Sequence, residues 1–238
     1  SNPALNSNTF KASNNSFLLD DKMTIQGTVD KTAISLVLLV IAAYYTYSAG
    51  MESMIMLGSI GGLILALITI FKKEWAPFTV PLYAILEGLA LGSISYLYNL
   101  QYEGIVLQAI SITVLVLFSL LFAYRTKIIK PTENFKLGLF AATGGIFLLY
   151  MVSFIMSFFG SGISLLSSNN SSMLSIGLSL GIVIIAALNL VIDFDFIEEG
   201  SEKGAPKYME WYAAFGLLVT LIWLYLELLR LLAKMKNR

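Results

Sequence analysis

Residues 173–197 read MLSIGLSLGIVIIAALNLVIDFDFI, and the first 20 of them carry no ionisable side chain. About 20 apolar residues are what an α-helix needs to cross the hydrocarbon core of a bilayer. In that core every backbone N–H and C=O must be satisfied within the structure, which leaves helices and closed barrels. Barrel strands alternate between apolar and polar residues, whereas this stretch is continuously apolar. It is therefore read as a membrane-spanning helix that ends in the acidic run DFDFIEE, residues 193–199. Working outward, comparable runs fall at about 33–49, 53–71, 77–98, 104–124, 137–159 and 209–233, which with 173–197 makes seven.

Composition agrees. Hydrophobic residues make up 57% of the 238 and charged residues 13%, against roughly 45–50% and 25% in soluble domains. The sequence has no cysteine and no histidine. Disulfides, thiol nucleophiles, Ser-His dyads and the usual zinc ligands are thereby removed. A net charge of zero gives no electrostatic footprint for nucleic acid. The expected class is all-α: a polytopic membrane protein of seven helices, with the lipid bilayer as its first partner.

Residues 1–31 are polar, begin SNPALNSNTFKASNNS, and lack the basic start and short apolar run of a signal peptide. They are expected to form a flexible cytoplasmic tail ahead of a membrane domain over 32–238. With that tail inside, the inner segments hold Lys11, Lys22, Lys31, Lys72, Lys73, Arg125, Lys127, Lys130, Lys136, Lys203 and Lys207, and the three opposite connections hold no Lys or Arg. Positive-inside asymmetry thus places the amino terminus in the cytoplasm. The carboxyl tail conflicts with it: seven crossings put Arg230, Lys234, Lys236 and Arg238 on the other side, and from sequence its side is open. Trp75, Tyr208, Trp211 and Tyr212 sit at span edges as interfacial anchors. Gly58, Gly61 and Gly62, Gly88 and Gly92, and Gly144 and Gly145 read as close-packing sites.

A charge at the bilayer centre costs at least about 2.5–3.5 kcal/mol, so ionisable groups within spans are site candidates. Four carboxylates qualify: Glu87, Asp193, Asp195 and Glu227. No Lys or Arg reaches comparable depth, so the interior favours cations or protons. Glu87 lies ten residues beyond Pro77, near mid-membrane. Asp193 and Asp195 are two positions apart, roughly 200° around a helix, and cannot face one partner. Asp193 shares a face with Asn189, whereas Asp195 shares one with Glu198 and Glu199, which lead into water. Glu227 has Arg230 at i+3, a possible surface pair worth roughly 0.2–0.5 kcal/mol. If the turn between the last two spans centres on Gly204–Pro206, Asp195 is level with about residue 215 and Glu227 lies some 12 residues, or roughly 18 Å, deeper. If PKYMEWY (206–212) instead lies along the interface, much of that gap closes.

The stretches ALNLVIDFDFIEEG, GAPKYMEWYAAFGLLVTLIWLYLELLRLL and PLYAILEGLALGSIS, with the SNPALN start and the MTIQGTVDKT entry to the first span, resemble the transmembrane Bax inhibitor motif family, in its bacterial YccA-like branch. The resemblance covers essentially the whole chain. It implies a last helix wrapped by two layers of three, a bacterial inner-membrane location and a pH-sensitive calcium leak. In that leak, one carboxylate of the sixth helix and one of the last share a proton. By motif the last-helix acid is Glu227, and the sixth-helix acid is Asp193 or Asp195, with Asn189 and Arg230 in support and all three acids as candidate transient calcium ligands. No resident cofactor is expected. The competing reading is a non-conducting protein, monomeric or not, whose tail engages a membrane protease or quality-control complex. An intramembrane aspartyl enzyme fits poorly, because Asp193 and Asp195 point apart and a Gly-Asp motif is missing.

Overall fold

A computed structural model describes residues 22–160 and 162–238. Among these, seven helices are long and apolar enough to cross a membrane: α1 (Ile25–Ala49), α2 (Met54–Phe71), α3 (Ala76–Gln101), α4 (Ile105–Arg125), α5 (Glu133–Ser157), α6 (Met173–Glu202) and α7 (Met209–Lys236). Short 3-10 turns at Lys73–Trp75 and Ser164–Leu166 join α2 to α3 and α5 to α6.

Local chemistry sets the ends. Side chains of Thr24, Thr132 and Ser172 accept from the amides of Gly27, Phe135 and Ser175, capping α1, α5 and α6; such caps satisfy donors that a helix start otherwise leaves bare. The cap at Thr24 starts α1 about two turns before its apolar run. Residues 25–31, expected in the tail, are therefore helical, with Gln26 bonded to Asp30 on an exposed face. Of the remainder of the expected tail, residues 22–24 lead into the helix and residues 1–21 lie outside the described residues.

α1, α2 and α3 form one layer, and α4, α5 and α6 the other. Between them runs α7, which touches α1, α3, α4 and α6. In its most apolar stretch 67% of residues are buried, against 11% in α4 and α5, so the last helix is the core. Lipid tails are as apolar as leucine, so helix association here depends on van der Waals fit and small residues. A Cβ on Gly92 would run into the Ala43 carbonyl, and one on Gly58 into the Leu86 carbonyl. Those glycines let α1 and α2 lie directly on α3. Gly144 and Gly145 do no such work: nothing lies within 4 Å of where their Cβ atoms would stand.

The connection between α6 and α7 turns at Gly204, whose φ of 64° is left-handed, and α7 begins at Met209. PKYMEWY therefore forms the turn and first helical residues, the first of the two arrangements considered. At the far end, Lys234 Nζ donates to the Leu165 carbonyl (2.7 Å), Lys236 Nζ to the Glu103 carbonyl (2.9 Å) and Asn237 Nδ2 to the Ser168 carbonyl (3.2 Å). The carboxyl end thus sits with the Lys- and Arg-free connections. α7 therefore runs the full length of the bundle, and two of its basic residues, Lys234 and Lys236, are taken up by loop carbonyls.

Candidate functional site on the central helix

Asp193 is brought to α7. Its Oδ1 lies 3.7 Å from where a Gly216 Cβ would stand, and the Thr220 hydroxyl is beside it. Its Oδ2 is buried without a hydrogen-bond partner. Leaving a buried acceptor unpaired costs about 1–3 kcal/mol, more for a charged group. A proton or a cation is what would satisfy it.

Glu227 lies 11 residues beyond Gly216 on α7, about 16 Å along the axis at 1.5 Å per residue. The residue is 2% exposed, and its carboxylate is engaged by other groups. Arg230 Nη1 donates to both Oε1 and Oε2 at 3.0 Å, and the Tyr150 hydroxyl of α5 donates to Oε1 at 2.7 Å. Arg230 also bonds the Tyr150 oxygen and stacks 5.1 Å from its ring centroid. The expected contact between Glu227 and a sixth-helix aspartate is absent, for the reason the hairpin count contains: a turn at Gly204 fixes the register, and the two acids stand at different depths. The i+3 neighbour Arg230 is not a solvated surface partner, because both groups turn inward to α5.

Asp195 faces the other way, as its spacing from Asp193 requires. Its Oδ2 pairs with Lys136 Nζ of α5 at 2.6 Å. Glu198, one turn on, takes the Tyr124 hydroxyl of α4, and Glu199 pairs with Lys203. Asp195 thus belongs to an ionic network at the membrane edge. Asn189 turns to α5 as well: its Nδ2 donates to Thr143 Oγ1 at 2.9 Å and to the Ile185 carbonyl at 2.8 Å. Glu87 lies apart from all of these, half-buried against Gly62 of α2, where any Cβ would strike its carboxylate. Among the described residues no group of three or more acidic side chains is close enough to hold a metal ion, so Asp193, Asp195 and Glu227 do not form one calcium site in this conformation.

Sequence reading passed over three groups. Tyr150 is polar only at its tip, and nothing in the spacing of α5 marks it. Glu210, 0% exposed, accepts from the Thr24 amide (3.0 Å) and hydroxyl (2.9 Å) and pairs with Lys207 (3.0 Å). It holds the start of α1 on the start of α7. Lys234 is also 0% exposed, with its ammonium on the Leu165 and Ser175 carbonyls and on Ser179 Oγ. Its place seven residues beyond Glu227, on the same helical face, was the available signal.

An all-helical bundle with acidic and basic side chains buried along one central span defines a polytopic membrane protein with a polar interior. The sequence model of the family described as Bax inhibitor 1 like matches residues 2–237, and the chain belongs to that family. No curated protein and no solved structure matches it.

Proposed function

We propose that the protein is a pH-sensitive cation leak, with calcium the principal ion, in a bacterial inner membrane with the amino terminus cytoplasmic. The observation that carries this reading is the buried, partnerless Oδ2 of Asp193 at the interface of α6 with the central helix. A hard oxygen donor of this kind accepts either a proton or a cation such as Ca²⁺, so the two compete and flux depends on pH. Facing Asp193, α7 offers Gly216 and Thr220. The charged groups at this end, Lys136, Asp195 and Glu198, are engaged with one another and with Tyr124. Glu227 is a second station farther along α7, closed by Arg230 and Tyr150. The pathway then has two separate closures against the central helix, Asp193 from α6 and Glu227 on α7 itself, and not one proton between two carboxylates. Glu87 lies off this path.

Protein reconstituted into dye-loaded liposomes should admit calcium faster than protein-free vesicles, at a rate set by pH. Equal rates at every pH would end the reading.

The alternative, a non-conducting modulator of a membrane protease of the kind the YccA resemblance suggests, is favoured by one contact. Met23 is buried, and its amide donates to the Ala205 carbonyl at 2.7 Å, which anchors this part of the expected tail on the α6–α7 turn. Deleting residues 1–21 should then abolish partner effects and leave flux intact; loss of flux with partner effects retained would reject it.

A further inference from the structure

The helices around α7 do not close completely. α1 and α4 stand apart, and between them lies a cleft of about 560 Å³, within the usual range of about 300–1,000 Å³ for small-molecule sites. Its floor is the central helix, at Leu218, Leu221 and Ile222, and its walls are apolar residues of α1, α3 and α4. Exposed Val40, Tyr44 and Leu107 form its lips. Along α4 it runs from Gly104 to Leu117, about 20 Å at 1.5 Å per residue, against about 15 Å for half of a 30 Å hydrocarbon core. It opens sideways at membrane depth, where the medium is lipid chains and not water.

Two of the polar groups in the lining bear on what it would hold. Ser95 Oγ donates to the Leu91 carbonyl at 2.6 Å, so its 2.7 Å contact with Tyr225 has the tyrosine as donor. Both protons are spent inside the wall. At the end near the 101–104 connection, Asn99 accepts the Gly104 amide through Oδ1 at 3.1 Å, and among the described residues nothing takes a bond from its Nδ2. A free amide donor at headgroup depth, above a chain-long apolar slot, matches an ester carbonyl above an alkyl chain.

We infer that this cleft binds one acyl chain of a phospholipid from the leaflet on the side of the 101–104 connection, laid against α7, with its ester carbonyl at the Asn99 amide. The site is independent of whether the protein conducts. It brings a lipid ligand into direct contact with the central helix, the most buried of the seven.

The test uses the full chain in vesicles of phosphatidylcholine containing a fraction with a photoactivatable diazirine on one acyl chain, followed by peptide mass mapping. Segments 91–99 and 106–117 should be labelled at least threefold more per residue than the open lipid-facing surfaces of α2 and α5. Ala43→Phe and Val114→Phe fill the cleft from opposite walls, so misfolding of one leaves the other to report. Either should bring labelling down to the level of α2 and α5, whereas Ala141→Phe on the exposed face of α5 should change nothing. Parity in the unaltered protein, or labelling unchanged by both filling variants, would overturn the inference. So would efficient disulfide dimerisation of Leu107→Cys, because the chain has no other cysteine and a dimer would show that a second copy fills the cleft.

Discussion

Removal of the Arg230 guanidinium should expose how the charged interior of α7 is held. Glu227 is 3% exposed at its side chain, and Arg230 is 26% exposed. Truncating one partner of a buried pair costs about 3–5 kcal/mol, because the remaining charge is left uncompensated. A quarter of Arg230 reaches the surface, which screens part of the interaction, so Arg230→Met belongs at the low end, about 3 kcal/mol. The Tyr150 hydroxyl still donates to Glu227 and keeps the loss from growing. For a chain of this size each kcal/mol shifts the melting temperature by about 2–4 °C, so the variant should melt about 6–12 °C lower in detergent, followed by loss of monodisperse elution on heating. Adding Glu227→Gln removes the orphaned charge and should recover at least half of that shift. A loss below 2 °C for Arg230→Met, or a double variant worse than the single, would refute a buried, coupled pair.

Glu210→Gln should weaken the joint between the starts of α1 and α7. One charge-assisted acceptor for the Thr24 amide and hydroxyl is exchanged for a neutral one, and each such bond contributes about 1.5–3 kcal/mol. Hydrogen exchange over residues 24–29 should rise severalfold while α5 is unchanged. Gly92→Ala should prevent α1 from seating on α3, because its Cβ meets the Ala43 backbone carbonyl, and the yield of monodisperse protein should fall by more than half. Lys136→Met breaks a bridge to Asp195 in which both groups are partly exposed; such pairs contribute about 0–1 kcal/mol, so its melting temperature should stay within about 4 °C of the parent.

The seven spans were legible because length and continuous apolarity are local properties of the chain, and the boundaries moved mainly at α1, where the Thr24 cap adds two turns of polar helix. The hairpin count placed Asp195 level with about residue 215, and the structure sets Asp193 against Gly216, since a tight turn transmits register without further information. What lay beyond the sequence was partner choice across helices. That Glu227 turns to Tyr150, that Asn189 meets Thr143 and that Asp195 meets Lys136 all depend on where α5 lies relative to α6 and α7. No periodicity within a single helix encodes that. The carboxyl-terminal lysines appeared as a topological conflict for a related reason: charge counting treats every Lys as hydrated, whereas Lys234 is buried on backbone carbonyls.

The central claim is that the partnerless Oδ2 of Asp193 is where protons and cations compete at the interface of α6 with α7. It is tested most directly by calcium entry into liposomes measured across a pH series for the parent, Asp193→Asn and Asp195→Asn at matched reconstitution. The account predicts that Asp193→Asn lowers flux at least tenfold and flattens its pH dependence, while Asp195→Asn keeps both within about twofold. Parent-like flux and pH dependence in Asp193→Asn would contradict it.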